Sequence, residues 1–427
     1  MLKILTFKTM GTMNTTNYTH AEIMAPVGSF ESLEAALNAG CNSVYFGVEQ
    51  LNMRARSTVN FTIDDLGEIA DRCSKRGIKS YLTLNTILYD HDVNLMKGIV
   101  DAAKSSGISA IIGSDHAVLS YCRQIEMPLH ISTQANVTNI ESVAFYAAFA
   151  DVMVLSRELS LRQVADISRE IKRRDIKGPS GELVRLEVFA HGALCMAVSG
   201  KCYLSLHSHN ASANRGACIQ NCRKEYIVTS KDDGLELAID NEYIMSAKDL
   251  CTIGFLDKIL DAGVSILKIE GRGRSADYVD TTVRCYREAV DALKDNSFTE
   301  DRLNTWMERL ATVYNRGFWD GYYLGRKMGE WNNSYGSKAT ERKIYIGRGV
   351  KYYPNIAVGE FRLESHTLKT GDTLMITGPD FGVIKTVAQE IRVDNKAVQS
   401  VEKGAIFSIK AEQRIRPSSK LYKIVPA

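Results

Sequence analysis

No run in this 427-residue chain is apolar for long enough to cross a membrane. The longest, VAFYAAFADVMVL from Val143 to Leu155, is short and broken by Asp151. The opening stretch, MLKILTFKTMGTMNTTNYTH, has no long apolar core and no small-residue cleavage site of the secretory kind. The expectation is a cytoplasmic protein without membrane contact. Nine cysteines, an odd number in a chain of this size, argue in that setting against a disulfide framework. Repeats and low-complexity tracts are absent. So are H-E-x-x-H, G-x-S-x-G and D-T-G, the local patterns of metal-dependent, serine and aspartic hydrolysis.

What is present is alternation. Eight β-type runs, at 22–26, 43–48, 80–86, 109–113, 129–134, 152–156, 185–190 and 265–270, are mostly separated by amphipathic segments. The first of these segments, SFESLEAALNAG, opens on Ser29 as N-cap and ends on Gly40, and TIDDLGEIADRCSKRG follows the second run. Eight β/α units predict a parallel sheet closed as a TIM-type (β/α)8 barrel, with an open doubly wound sheet as its rival. Spacing is regular until the seventh run. Roughly 75 residues then separate RLEVFA from SILKIE, far beyond an ordinary βα loop.

The expected organisation is a flexible N-terminal segment over 1–20 and a barrel over 21–328 with a cysteine-rich insertion at 191–264. A linker at 329–340 and a small β-barrel module over 341–427 complete it. That last part carries 15 Lys and Arg against 9 Asp and Glu, although the whole chain is only +3. A basic module suits nucleic acid, and equally an ordinary solvated surface.

Four of the nine cysteines, Cys195, Cys202, Cys218 and Cys222, cluster within 28 residues of the insertion, spaced C-x6-C-x15-C-x3-C. Loops leaving the C-terminal ends of barrel strands form the active face, so the cluster belongs there. The first pair is too wide for a zinc knuckle. Spacing alone leaves an iron–sulfur cluster, zinc and coincidental buried thiols all open. Gly192, Gly200 and Gly216 let the backbone wrap closely around a bulky inorganic core. Cys41, Cys73, Cys122 and Cys285 lie on helical patterns and read as core. Cys251 is a possible substitute ligand.

The stretch EVFAHGALCMAVSGKCYLS (187–205) resembles the signature of peptidase family U32, first named for a collagenase-like activity. HISTQANVTN (130–139), VLSRELSL (154–161), GACIQNCRKEY (216–226), MSAKDL (245–250) and LKIEGR (267–272) are similar to its tRNA-hydroxylating branch. The resemblance covers roughly 21–330 and implies an enzyme making 5-hydroxyuridine at the tRNA wobble position. Oxygen is not required, because prephenate donates the hydroxyl. It further implies a cysteine-held iron–sulfur cluster, of the four-iron, four-sulfur kind, on Cys195, Cys202, Cys218 and Cys222, and leaves open a homo-oligomer or a pair with a second family member. The alternatives are a collagenase-like peptidase and a hydroxylase of ribosomal RNA or a quinone precursor. An RNA-binding protein without catalysis would give no reason for the cysteine loop.

Candidate catalytic residues at strand ends are Asp115, Gln134, Asn136, His191 and Glu270. His191 is placed to move a proton, and Gln134 and Asn136 to read a uracil edge; structural hydrogen bonding is the competing role for all three. Candidate binding residues are Arg54, Arg56, Asn85, Arg157 and Arg272, since prephenate carries two carboxylates and arginine binds carboxylates in a bidentate fork. The alternative is that some of these arginines pair with Asp115, Glu158 or Glu270 to tie the barrel mouth.

Overall fold

The computed structural model describes residues 16–56, 60–226, 243, 245–325, 329–333 and 336–427. Seven strands come first: β1 Glu22–Pro26, β2 Ser43–Phe46, β3 Lys79–Leu84, β4 Ala110–Gly113, β5 Leu129–Ile131, β6 Val152–Val154 and β7 Arg185–Gly192. A short β8, Asp249–Cys251, precedes β9, Val264–Ile269. Strands β1 to β7 pair in parallel with their sequence neighbours, and β9 pairs in parallel with both β1 and β7. The sheet therefore closes as an eight-stranded (β/α) barrel, and every strand expected from the alternation is present.

Local chemistry starts the helices where the chain must turn. Ser29 caps helix Phe30–Asn38 through a box with Ser32, and Ser160 caps Leu161–Arg173 through a box with Gln163. The outer strand faces and the helices share one large core, while Met24, Tyr45, Tyr81, Ala110, Ile112, Val152 and Ile266 pack inside the barrel. Above this plug lies a charged layer: Lys268 Nζ is 2.7 Å from Glu187 Oε1, and His130 Nδ1 is 3.5 Å from Glu187 Oε2. Burial pushes the Lys268 amine down and the Glu187 carboxyl up. Their mutual attraction opposes both effects and leaves Glu187 below the usual carboxylate range.

The insertion ends by returning to the barrel. Strand β8 lies antiparallel to the end of β7, His191 opposite Cys251, and is flanked on its other edge by β10, Phe318–Trp319. Residues 227–242 and 244 of the insertion lie outside the described residues, as do 1–15 of the expected N-terminal segment. The rest of that segment is packed: Tyr18 is buried and its hydroxyl donates to Asp261. The expected linker is also partly structured, because Trp331 bridges to Ala247 and Asn332 is buried, its N–H donating to Ser246 O. No described helix is long and apolar enough to cross a membrane.

From Glu341 the chain forms an antiparallel β-module. Its leading strands, β11 Glu341–Tyr353 and β12 Val358–Leu363, belong to an eight-stranded sheet around a core that includes Ile346, Phe361, Leu374 and Phe407. The module docks on the barrel wall. Gly382 comes so close to helix Phe30–Asn38 that a Cβ there would meet Ala35 N at 2.5 Å. Asn38 donates to Phe381 O at 3.0 Å, Arg72 to Pro379 O at 2.7 Å, and Lys343 pairs with Asp277.

Candidate active site: a basic cavity lined by four cysteines

Inward-pointing positions on the strands, and the loops that follow them, enclose a cavity of about 670 Å³ at the C-terminal mouth of the barrel. Tyr45, Thr83, Ile112, Phe189 and Lys268 come from the strands, and residues 193–205 and much of 213–223 form the facing wall. Cys195, Cys202, Cys218 and Cys222 all line it. Burial pushes the Cys222 thiol up and the neighbouring Arg223 pulls it down. The other three cysteines are close enough to push it up further. Among the described residues no three Cys, His, Asp or Glu side chains are gathered at metal-holding distance. The donor set nonetheless fits an iron–sulfur cluster in chemistry: four soft sulfurs, one cavity, and a backbone turned by glycine. Gly216 has φ +84° and lies so close to the 51–56 loop that a Cβ would meet Asn52 O at 2.4 Å. Cys251 is elsewhere. It is buried outside the cavity with its Sγ 3.9 Å from Met307 Sδ, and burial raises its thiol to about 11.

Charge in this cavity is one-sided. Eight Lys or Arg side chains line it and Glu270 is the one carboxylate among the lining residues. Arg54 Nη2 lies 3.0 Å from Glu270 Oε1. Burial pushes the Glu270 carboxyl up, but Arg54, Arg274 and Arg157 outweigh it and hold the group ionised. Arg316 is neutralised by Asp249 at 3.2 Å. Lys268 is paired with Glu187, whereas Arg157, Arg272 and Arg274 make no direct ion pair among the described residues and feel Glu270 only at longer range. Arg272 is anchored by donating to Thr83 Oγ1 at 2.7 Å, and burial lowers its guanidinium to about 10, so it stays charged at neutral pH. Arg157 sits over the Phe189 ring at 4.4 Å and donates to Ala193 O at 3.3 Å. Its Nε is buried with no hydrogen-bond partner. Arg274 lies 3.5 Å from the Tyr314 ring centroid. Buried Arg272 and half-buried Arg157 and Arg274, none in a direct ion pair, together with the orphaned Arg157 N–H are what a dianionic ligand would satisfy.

Of the residues singled out in the sequence, Arg54, Asn85, Gln134, Arg157, Glu270 and Arg272 line the cavity with the four cysteines. Asn85 accepts from Met53 N and donates to Ser132 Oγ, and Gln134 Oε1 is buried without a partner. Four others are placed differently. Asp115 caps helix His116–Gln124 and spends both oxygens on the N–H groups of Ala117 and Leu88. Asn136, left-handed at φ 52°, ties Gln134 O to Ser199 O through its amide and so supports the wall. Arg56 is exposed outside the cavity, joined to the insertion by its backbone N–H on Gly216 O.

His191 is turned away altogether. The pairing of β7 with β9 slips by one residue between Phe189 and His191, and such a slip reverses which face a side chain takes. His191 therefore packs among Tyr278, Tyr286 and Phe318 on the helix side, and burial drives its imidazole down to about 3. Glu158, just past the end of β6, accepts from Ser156. Arg223, Arg274, Arg316 and Lys268 were not anticipated. Arg274 had a visible signal, two residues after Arg272 in EGRGRS, and Arg223 adjoins Cys222.

A closed (β/α) barrel with a basic, thiol-lined cavity at its catalytic end defines the class of protein. Residues 28–333 match the model of peptidase family U32, and the chain belongs to that family. A protein named collagenase from Porphyromonas gingivalis is 56% identical over 407 residues, covering 95% of this chain and 98% of its own. The tRNA hydroxylation protein P1 of Bacillus subtilis is 28% identical over 414 residues, 94% of each chain. A 23S rRNA 5-hydroxycytidine synthase of Escherichia coli is 32% identical over 277 residues, covering 64% of this chain and 39% of its own.

Proposed function

We propose that the protein hydroxylates RNA, converting the wobble uridine of tRNA to 5-hydroxyuridine without oxygen, with prephenate as the hydroxyl donor. The observation that carries this reading is the pairing of a strongly cationic cavity with four cysteines on the same wall. Relatives whose names specify tRNA and rRNA hydroxylation support it. Arg157, Arg272 and Arg274 would hold the two carboxylates of the donor, Arg157 through its unpartnered Nε. Gln134 Oε1 offers an acceptor to the N3–H of a uracil, and Asn85 orients the Ser132 hydroxyl beside it. The ion pair of Arg54 with Glu270 fixes the one carboxylate of the lining, so that it does not repel an incoming anion. Cys195, Cys202, Cys218 and Cys222 would hold the iron–sulfur cluster, which when bound supplies one-electron chemistry.

Peptide hydrolysis, suggested by the name of the Porphyromonas gingivalis relative, needs an activated nucleophile. His191 is buried away from the thiols, and His207, which lines the cavity, has no carboxylate to orient it among the described residues. The test is mass spectrometry of nucleosides in RNA from a deletion strain. Loss of 5-hydroxyuridine derivatives from tRNA, restored by the gene, supports the proposal. Unchanged tRNA with a lost ribosomal RNA or quinone modification moves the substrate. Unchanged RNA together with gelatin cleavage by the purified protein overturns it.

A further inference from the structure

The lip of the cavity carries a feature that donor binding does not use. Tyr203, next to Cys202, is 73% exposed although it lines the cavity. Met196, Val198 and Leu204 of the same wall are also exposed, as is Ile219 near Cys218. Where the 87–89 segment meets the same insertion, Ile87 N donating to Asn214 O, Tyr89 is 54% exposed. The Arg215 guanidinium lies 4.1 Å from its ring centroid and is held there by Asp92 at 2.7 Å and by Ile87 O at 3.0 Å. Exposed aromatic rings cost solvation, and an arginine clamped over one of them is a preformed stacking pair.

The charge of this surface says what covers it. Between Gly192 and Lys224 the sequence has Lys201, Arg215, Arg223 and Lys224 and no Asp or Glu. Arg215 is paired with Asp92 and Arg223 is turned inward onto Leu194 O and Ala247 O, so Lys201 and Lys224 are the exposed cations that remain, with Asp90 and Glu225 at the margins. A two-fold contact between copies would set these two lysines against their own counterparts. An acidic protein would match the charge but need not present flat rings to the exposed Tyr203 and Tyr89. Unpaired RNA supplies both, as phosphates for the cations and base faces for the rings.

We propose that this lip is a stacking platform for single-stranded RNA. Tyr203 receives a base flanking the one that enters the cavity, and the Tyr89–Arg215 pair receives a second. The inference rests on the RNA reading above and adds the part of the substrate recognised: splayed bases of a loop rather than a duplex. Specificity for an unpaired target then comes from the platform, and the cavity need only recognise one base.

The test is fluorescence anisotropy with a short oligouridylate and with duplex RNA of equal charge, at one fixed salt concentration. Tyr203→Ala and Tyr89→Ala are each expected to weaken the oligouridylate about tenfold and leave the duplex within about twofold, because stacking is lost and charge is not. Tyr203→Phe is expected to restore binding, since the ring and not the hydroxyl acts. Equal affinity of Tyr203→Ala and wild type for the oligouridylate overturns the platform while RNA binding itself stands. Wild-type protein that binds neither RNA overturns the platform and the RNA reading together. Self-association of wild type that Tyr203→Ala abolishes, with RNA affinity unchanged, assigns the lip to a contact between copies and also overturns it.

Discussion

At the imidazole of His191, burial among three aromatic rings favours the neutral form down to a pKa of about 3. In the unfolded chain the group titrates near its ordinary value of about 6.5. Between those values the unfolded state binds the extra proton, so the folded state keeps its full stability above about pH 6.5 and loses it as pH falls. The slope is about 1.4 kcal/mol per pH unit within that window. Lowering the pH from 7 to 5 should lower the melting temperature of wild type, and His191→Phe should remove most of that dependence. Equal acid sensitivity of the two would show that His191 is not the group responsible. Arg272 makes a contrasting case, a buried cation anchored by Thr83 and aimed into the cavity. Arg272→Lys keeps the charge and removes the fork, so prephenate affinity should fall by about 1–3 kcal/mol by calorimetry. Unchanged affinity would place the donor elsewhere.

At the scale of elements, the cysteine-bearing wall depends on backbone that only glycine adopts without strain. Gly216→Ala would force a left-handed Cβ onto Asn52 O and should cost about 1–3 kcal/mol in chemical denaturation. It should also lower the iron retained after anaerobic reconstitution, since Cys218 lies two residues on. Cysteine substitutions sort the ligands. Cys222→Ser is expected to lose iron, and Cys251→Ser to keep it, because Cys251 packs on Met307 away from the cavity. The reverse result would exchange their roles. The barrel strands were legible because each is an apolar run bounded by caps and turns, as at Ser29 and Gly40. Strand-end side chains such as Asn85, Arg157 and Glu270 were legible as cavity residues because they continue the inward alternation. His191 was not, since a one-residue slip in β7 leaves no mark in composition. Asp115 was not, since a carboxylate after a strand serves equally as a helix cap. Arg316 comes from well after the last barrel strand, a placement that only tertiary structure reveals.

Over the whole molecule, the β-module is joined to the barrel by packing as well as by chain. Its removal would uncover helix Phe30–Asn38, so truncation would confuse binding with stability. Charge reversal separates them. Lys351, Lys410 and Arg414 are exposed on the module, away from its docked face at Gly382. If the module holds RNA, changing all three to Glu should weaken tRNA binding and reduce its logarithmic salt dependence by about 0.7–0.9 per lost phosphate contact. An unchanged slope with unchanged melting temperature would leave the module a purely structural role.

Strand β8 bears on how the protein is made. The long excursion after β7 comes back to pair with β7 itself, while β9 closes the barrel directly against β7 and β1. The circuit of barrel hydrogen bonds thus never passes through the four cysteines. If the four cysteines hold the proposed cluster, a newly synthesised chain can complete its barrel before any iron arrives, and oxidative loss of that cluster would leave the scaffold standing for repair in place. Maturation and damage would then be confined to one replaceable wall.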